Sequence, residues 1–422
     1  MIGENMCEIF HCAVLGDPIS HSLSPVLHNA AYKALGLTNW QYSKEKVSET
    51  ELADFILKLD DSWKGLSLTM PLKKAVMKLG TPCDYWSSAL RVANTVIFTT
   101  NPAIASPCQI ELCNTDVNGI IAVFIRALRE RISQVKKAVI IGSGNTASSA
   151  MAALIEIAQA SKLEKVQVVA RTDNNGSVKG VERFNNILRT YCADFPNSRS
   201  IEPCLESNKI QSNENHGIKS NGIHDFQINK IQSNANNANY ESVQGIEFPI
   251  FSEDVTAKFA DYSAKKLCAE KLSEYDESLI LQSLSSLDAI RAISEADIVI
   301  STVPAHVADL IALALKAYCQ NRCVKSLGVL LDVVYDPRPS MLLSAFSQYG
   351  LAIGGEEMLL YQALEQVKLM TFAYRNSKEN FANCFANCGE NCFANALKKD
   401  SDKATDYDKL SSYMRKELEE AL

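Results

Sequence analysis

The chain lacks the features that would place it in several broad classes. No uninterrupted apolar stretch approaches the roughly 20 residues that cross a bilayer, so no membrane span is expected. No basic region followed by an apolar run opens the chain, which reads against a secretory leader. Basic residues are in the minority, 42 Lys and Arg against 49 Asp and Glu. The net charge of −7 offers no basic face for nucleic acid, so any anionic ligand must be held by local donors. Cysteines are not scarce: there are 13, an odd number scattered over 422 residues. None form the Cys-x-x-Cys pairs of zinc sites, and reduced thiols in a cytoplasm are the simplest reading.

What is present is ordinary globular material, 47% hydrophobic and 22% charged, enough for two domains. Residues 10–120 alternate short strands and helices. "CAVLG" reads as a buried strand and "SPVLHNAAYKALGL" as a helix with Ser24 as N-cap and Pro25 at its first position. A helix at 117–135 then leads into continuous apolar strands in "KKAVIIG", "KVQVVA", "EADIVIS" and "VLLDVVYDP". Such runs suit a parallel sheet covered on both faces.

Two segments fall outside this pattern. Residues 198–245 are rich in Asn, Ser and Gln, carry the near-repeat "NKIQSNENHG" and "NKIQSNANNA", and read as a disordered insertion. Residues 376–422 read as a tail, with Cys384, Cys388 and Cys392 four apart and a final charged helix. Repeat expansion explains the cysteines better than a metal site does, and no metal is expected.

The polar residues gather where strands end, which is where open α/β sheets place ligands. "HSLSP" sets Ser22 and Ser24 in one turn. "LTMPLKK" sets Thr69 at a strand end and Lys73 in the next helical turn. Asn94 and Asp116 follow in "ANT" and "NTD". A lysine beside an aspartate suits proton transfer from an alcohol, the carboxylate orienting both partners. "VIIGSGNTA" puts Gly142 and Gly144 between a strand and a helix, as a dinucleotide site requires. The third glycine of that fingerprint is missing, so an ordinary strand–helix turn stays open on this motif alone. The next strand ends in Ala170, Arg171 and Thr172 rather than an acid, which favours the 2′-phosphate of NADP over NAD.

The segments "GDPISHSLSPVLHN", "LTMPLKK", "ANT", "NTDVNG", "GSGNTA", "ART", "DVVYDP" and "GGEEMLLYQA" follow the order of the shikimate dehydrogenase motifs. The resemblance covers roughly residues 10–375 except the insertion. It implies an α/β chain with a mixed-sheet, substrate-binding N-terminal domain (1–116) and a Rossmann-like, doubly wound NADP-binding domain (117–355). Helix 356–375 is expected to pack back on the first domain. By this resemblance Ser22, Ser24 and Tyr335 hold the substrate carboxylate, and Thr69, Asn94, Asp116 and Gln362 read the ring hydroxyls. Lys73 transfers the proton with Asp116. Gly142, Ser143, Gly144, Asn145, Thr146 and Ala147 hold the pyrophosphate, and Arg171 and Thr172 the adenosine phosphate. Val333 and Gly355 line the nicotinamide.

The implied activity is reversible, NADPH-dependent reduction of 3-dehydroshikimate to shikimate, a step of aromatic amino acid and chorismate biosynthesis. The ligand is a small molecule, with neither nucleic acid nor membrane as partner, and a homodimer stays open. A quinate/shikimate dehydrogenase using NAD, or an inactive ligand-binding homologue, is the alternative. A folate-dependent dehydrogenase of similar plan fits the hydroxyl-rich turn poorly. Three departures from the family pattern stand out: Arg91 where a glycine is usual, Asn145 where another is common, and a longer loop at 99–110.

Overall fold

The computed structural model describes residues 8–99, 109–170, 180–195, 287–375 and 401–422. Arg171, Thr172, the 198–245 insertion, Cys384, Cys388 and Cys392 lie outside the described residues. Among the described residues the strands form two sheets.

The first sheet is mixed. Its strands are β1 (Phe10–Gly16), β2 (Trp40–Lys46), β3 (Trp63–Leu68), β4 (Thr81–Pro82), β5 (Thr95–Thr99) and β6 (Gln109–Cys113). They lie in the order β2-β1-β3-β5-β6-β4. Strand β1, next to the edge strand β2, pairs in parallel with both neighbours, while β5 runs antiparallel to β3 and β6. Helices α1 (Ser24–Ala34), α2 (Leu52–Leu57), α3 (Leu72–Ala75) and α4 (Tyr85–Leu90) connect them. Leu15, Leu66, Leu68, Leu72, Val96 and Leu112 form one apolar layer of this sheet. That burial is what the short runs of branched side chains provide.

The second sheet is wholly parallel, in the order β11-β10-β9-β7-β8. It comprises β7 (Lys137–Ile141), β8 (Lys165–Val169), β9 (Ile298–Ser301), β10 (Val329–Asp332) and β11 (Leu351–Ile353). After β7 the chain goes to β8 on one side and then returns to β9 on the other. The strand ends at β7 and β9 therefore flank the switch point at which such sheets bind ligands. Helices α5 (Thr115–Leu128), α6 (Asn145–Gln159), α7 (Val181–Asp194), α8 (Leu287–Glu295), α9 (Asp309–Arg322) and α10 (Met341–Phe346) accompany it.

Two further helices tie the halves together. Helix α11 (Gly355–Arg375) packs on α5, α1, β3 and β5, so the last strand of the second sheet hands the chain back to the first. Gly119 of α5 allows the close approach: a Cβ there would lie 3.0 Å from the Met358 carbonyl oxygen and 3.1 Å from Gln362 Cβ. Helix α12 (Ser401–Ala421) packs on α1 and α11. It is no free tail. Met414 and Leu418, one turn apart, are fully buried in an otherwise charged helix. Arg415 bonds both oxygens of Glu357 and, at 3.0 Å, the Tyr361 hydroxyl.

Two sequence expectations are revised here. Ser24 is the first residue of α1 rather than its cap, which moves Pro25 from the first helical position to the second: Leu23 holds the N-cap position, and no side chain caps the helix. The Ser22 hydroxyl instead accepts weakly from the Ser24 N–H at 3.4 Å, which leaves the helix start open. The helix expected over 117–135 begins at Thr115, ends at Leu128 and continues as a 3₁₀ turn over Arg129–Gln134.

Arg91 ends α4 at φ 53°, in the left-handed region. That conformation explains why glycine is usual there, since a Cβ in it costs about 1 kcal/mol. Arg91→Gly should therefore stabilise the protein by about 1 kcal/mol, read as a higher urea midpoint. An unchanged or lower midpoint would show that the arginine side chain offsets the backbone cost.

His28 on α1 is buried, stacked on Tyr42 at 3.9 Å between ring centroids, and burial pulls its pKa down to about 3. The folded protein thus keeps this ring neutral where the unfolded chain protonates it, near pH 6.5. Its contribution to stability is present above pH 6.5 and is lost as pH falls towards 3. The melting temperature of the wild type should fall more steeply than that of His28→Gln over this window. Parallel curves would show that His28 does not carry this dependence.

Candidate active site

The polar residues expected from the sequence converge beneath the C-terminal ends of the first sheet. Thr69 follows β3, held by its N–H to the Leu15 carbonyl at 2.9 Å. Gly16 allows this: a Cβ there would meet Thr69 Cγ2 at 2.3 Å. The chain turns at once into α3, which carries Lys73. Asn94 immediately precedes β5, and Asn114 sits at the start of α5, so Asp116 falls in that helix's first turn.

The Lys73 amine donates to Asp116 Oδ2 at 2.5 Å, with side-chain exposures of 15% and 5%. The other carboxylate oxygen accepts from Asn94 Nδ2 at 2.8 Å. Asn94 Oδ1 accepts from the Thr115 N–H and the Thr95 hydroxyl, both at 2.8 Å. Gln362 on α11 brings Oε1 to 3.4 Å from Asn94 Nδ2 and is nine-tenths buried. Lysine, aspartate, asparagine and glutamine thus come from four elements and meet in one buried patch. A charge pair this dry is retained at the expense of desolvation, which makes it a candidate for chemistry rather than for stability.

The residues expected to hold a carboxylate lie on flanking turns. Ser22 is half-buried and Ser24 buried at the open start of α1. Tyr335 follows β10 and is half-buried, with burial pushing its phenol pKa up. His21 and Asp336 approach to 3.9 Å, so the serine turn and the Tyr335 loop face each other.

The glycine turn stands at the switch point of the second sheet. Gly142 follows β7 at φ 118°, and a Cβ there would meet the Thr302 hydroxyl, just after β9, at 2.4 Å. Thr302 in turn donates to the Ile141 carbonyl at 3.0 Å. Gly144 is exposed and is the N-cap of α6, where no side chain caps the helix. Asn145 is the first helical residue, so the missing glycine there removes no special conformation. Ser143, Thr146 and Ala147 complete the turn. Unsatisfied N–H groups at a helix start, with open space above Gly144, fit a pyrophosphate. Val333 N–H bonds the Ser301 carbonyl at 3.0 Å, and the Gly355 N–H bonds the Val334 carbonyl at 3.3 Å. A Cβ on Gly355 would lie 2.1 Å from the Val333 carbonyl oxygen, so these two expected nicotinamide neighbours are adjacent.

The two sites are connected. Asn114 Nδ2 reaches Ser149 of α6 at 3.3 Å. Arg183 of α7 donates to the Ser143 carbonyl at 3.1 Å. Lys74, next to Lys73, has its pKa lowered by burial and then by the charge of Arg183. Arg183 thus links the glycine turn electrostatically to the helix that carries Lys73 and Lys74.

Arg183 was not singled out from sequence, because a lone arginine on a polar helix carries no signal. Nor were Thr95 and Gln366, whose buried contacts appear only when β5 and α11 are packed together. Gln366 alone was legible in principle, lying one helical turn beyond Gln362 on the same face.

Comparison with known proteins bears on both halves. Residues 14–96 match the family model of the shikimate dehydrogenase substrate binding domain. A shikimate dehydrogenase (NADP(+)) of Prochlorococcus marinus is 30% identical over 46% of this chain and 60% of its own length. That of Methanothrix thermoacetophila is 48% identical over 20% of this chain and 32% of its own length. The chain spans about 60% or less of the length of these curated relatives. Among solved structures, a shikimate 5-dehydrogenase from Mycobacterium fortuitum superposes with TM-score 0.52 at 24% identity, over 89% of this chain and 99% of that one. One from Listeria monocytogenes, in complex with shikimate and NAD, gives 0.53 at 17% identity, over 92% and 98%. The chain is therefore similar to shikimate dehydrogenases in sequence along its first domain and in α/β fold, mixed sheet and Rossmann-like sheet together, along nearly its whole length.

Proposed function

We propose that the chain is an NADP-dependent shikimate dehydrogenase that reversibly reduces 3-dehydroshikimate to shikimate. The observation that carries the reading is the buried Lys73–Asp116 contact at 2.5 Å, in a chain that also carries an uncapped glycine turn at the start of α6. Bound NADP would supply the hydride acceptor at C4 of its nicotinamide. The rest falls to this chain's own side chains. The Lys73 amine takes the proton from the ring alcohol and returns it to the ketone in the biosynthetic direction. Asp116 holds that amine and, with Asn94, Thr69 and Gln362, fixes the ring hydroxyls so that the reacting one faces Lys73. Ser22, Ser24 and Tyr335 offer neutral donors to the carboxylate beside an uncapped helix start, which favours an anion without adding a charge. The turn Gly142–Ala147 holds the pyrophosphate, and Arg171 with Thr172 the adenosine phosphate. Val333 and Gly355 border the nicotinamide.

The choice of NADP rests on Arg171 and on the NADP(+) dependence of the similar shikimate dehydrogenases. A cytoplasmic enzyme with reduced thiols fits the same reading. No described helix is long and apolar enough to cross a membrane. A homodimer is the assembly to test by light scattering.

Absorbance of the reduced nicotinamide, with shikimate or quinate and NADP or NAD in all pairings, tests the reading. Shikimate with NADP should be the best pair, and Lys73→Ala should lose 10²–10⁴-fold in turnover while keeping its fold, the usual cost of a positioned acid–base group, about 10²–10⁴. Near-normal turnover in Lys73→Ala would overturn its role. A preference for NAD would mean that Arg171 does not hold a phosphate. Binding of both ligands with no absorbance change would indicate an inactive homologue.

A further inference from the structure

Beneath the site lies a second layer of buried polar groups, and its hydrogen bonds run in one direction. The Asn94 carbonyl oxygen can only accept, so the Gln366 atom 3.3 Å from it is the amide nitrogen. That fixes Gln366 Oε1 on the opposite side, where it accepts from the Ser67 hydroxyl at 2.7 Å. The Ser67 hydroxyl has then given its one proton, and accepts from the Tyr42 phenol at 2.6 Å. His28 Nε2 also faces Gln366 Oε1, at 3.2 Å, while its Nδ1 has no partner. A ring that donates from Nε2 and leaves Nδ1 bare fits both facts. From Gln366 the chain continues upward. Nε2 donates to the Thr95 hydroxyl at 3.0 Å, so Thr95 turns its own proton to Asn94 Oδ1 at 2.8 Å.

We propose that Gln366 is a positioning residue that, through Thr95, holds the Asn94 amide in the orientation that the Thr115 N–H and the Asp116 carboxylate also require. With its oxygen held by Thr95 and by the Thr115 N–H, Asn94 has its Nδ2 group for the site, donating to Asp116 Oδ1 at 2.8 Å. The flipped amide would set a carbonyl oxygen against the Asp116 carboxylate and offer acceptors, not donors, to a substrate hydroxyl. All members of the layer are nine-tenths buried or more, so water does not compete for the links. Gln366 itself sits a helical turn from Gln362, one α11 residue shaping the site from below while the other faces it. The inference rests on the shikimate dehydrogenase reading for its consequence in turnover, but the amide orientation exists without substrate.

The experiment compares wild type, Gln366→Met, Thr95→Val, Thr95→Ser and the double variant Gln366→Met/Thr95→Val. Side-chain amide NMR of Asn94, in protein labelled with ¹⁵N-asparagine and without substrate, reads the orientation directly. One sharp pair of protons is expected in wild type and in Thr95→Ser, which keeps the hydroxyl. Doubled or broadened signals are expected in Gln366→Met and Thr95→Val. In turnover, both should raise KM for shikimate about five- to tenfold, the effect of one buried hydrogen bond, with KM for NADP unchanged. The double variant should be no worse than the worse single one, because both cut the same chain. Loss of thermal stability with unmoved KM and a single amide pair would overturn the proposal and leave Gln366 purely structural. Additive effects would likewise overturn it. Failure of wild type to oxidise shikimate would refute the functional reading instead, and the NMR comparison would still decide the orientation.

Discussion

Asp116 carries a hydrogen bond on each carboxylate oxygen, from the Lys73 amine and from Asn94 Nδ2, at 4% exposure. The rest of the architecture can be understood as the means of keeping that arrangement dry and aligned. Burying a carboxylate is costly unless its oxygens are satisfied, and here two different elements satisfy them. Helix α5 brings Asp116 and α3 brings Lys73. The strand end before β5 brings Asn94, and α11 closes the patch from the far side. The mixed sheet is well suited to this convergence, because the β3 and β6 ends must meet although β5 runs against both.

The cleft between the two sheets follows from the same logic. A parallel sheet has its free N–H groups and helix starts at one edge, and the return of the chain from β8 to β9 opens a gap there. Gly142 and Thr302 pack at that gap so closely that no side chain fits between them. The contacts from Asn114 to Ser149, and from Arg183 to Ser143, hold the polar patch and the glycine turn in one frame. Helix α12 braces α11 from outside through Arg415 and the buried Met414 and Leu418.

Much of this was legible in the sequence. Strands with continuous apolar runs, the glycine turn and the polar strand ends each carry a local signal, and Lys73, Asp116, Asn94 and Gln362 do meet. What was not legible depends on packing between distant segments. The buried face of α12 rests mainly on Met414 and Leu418 in a charged helix, too sparse a pattern to mark it in sequence. Thr95 and Gln366 are unremarkable in a strand and a helix until 271 residues of separation are closed by a 3.0 Å bond. Ser24 as a cap failed for a different reason: a serine before a proline signals a helix start, but does not say which hydroxyl turns inward. The left-handed backbone at Arg91 was visible only as an odd substitution, and acquires its cause from φ.

The account stands or falls on where a substrate alcohol lies relative to Lys73. A crystal structure with shikimate and NADP bound measures this directly. The reacting hydroxyl oxygen should lie about 2.6–3.2 Å from Lys73 Nζ, within hydrogen-bond reach for proton transfer, with the ring carboxylate on Ser22 and Ser24. A shikimate bound with that hydroxyl turned away from Lys73, or outside the cleft between the serine turn and the glycine turn, would contradict it.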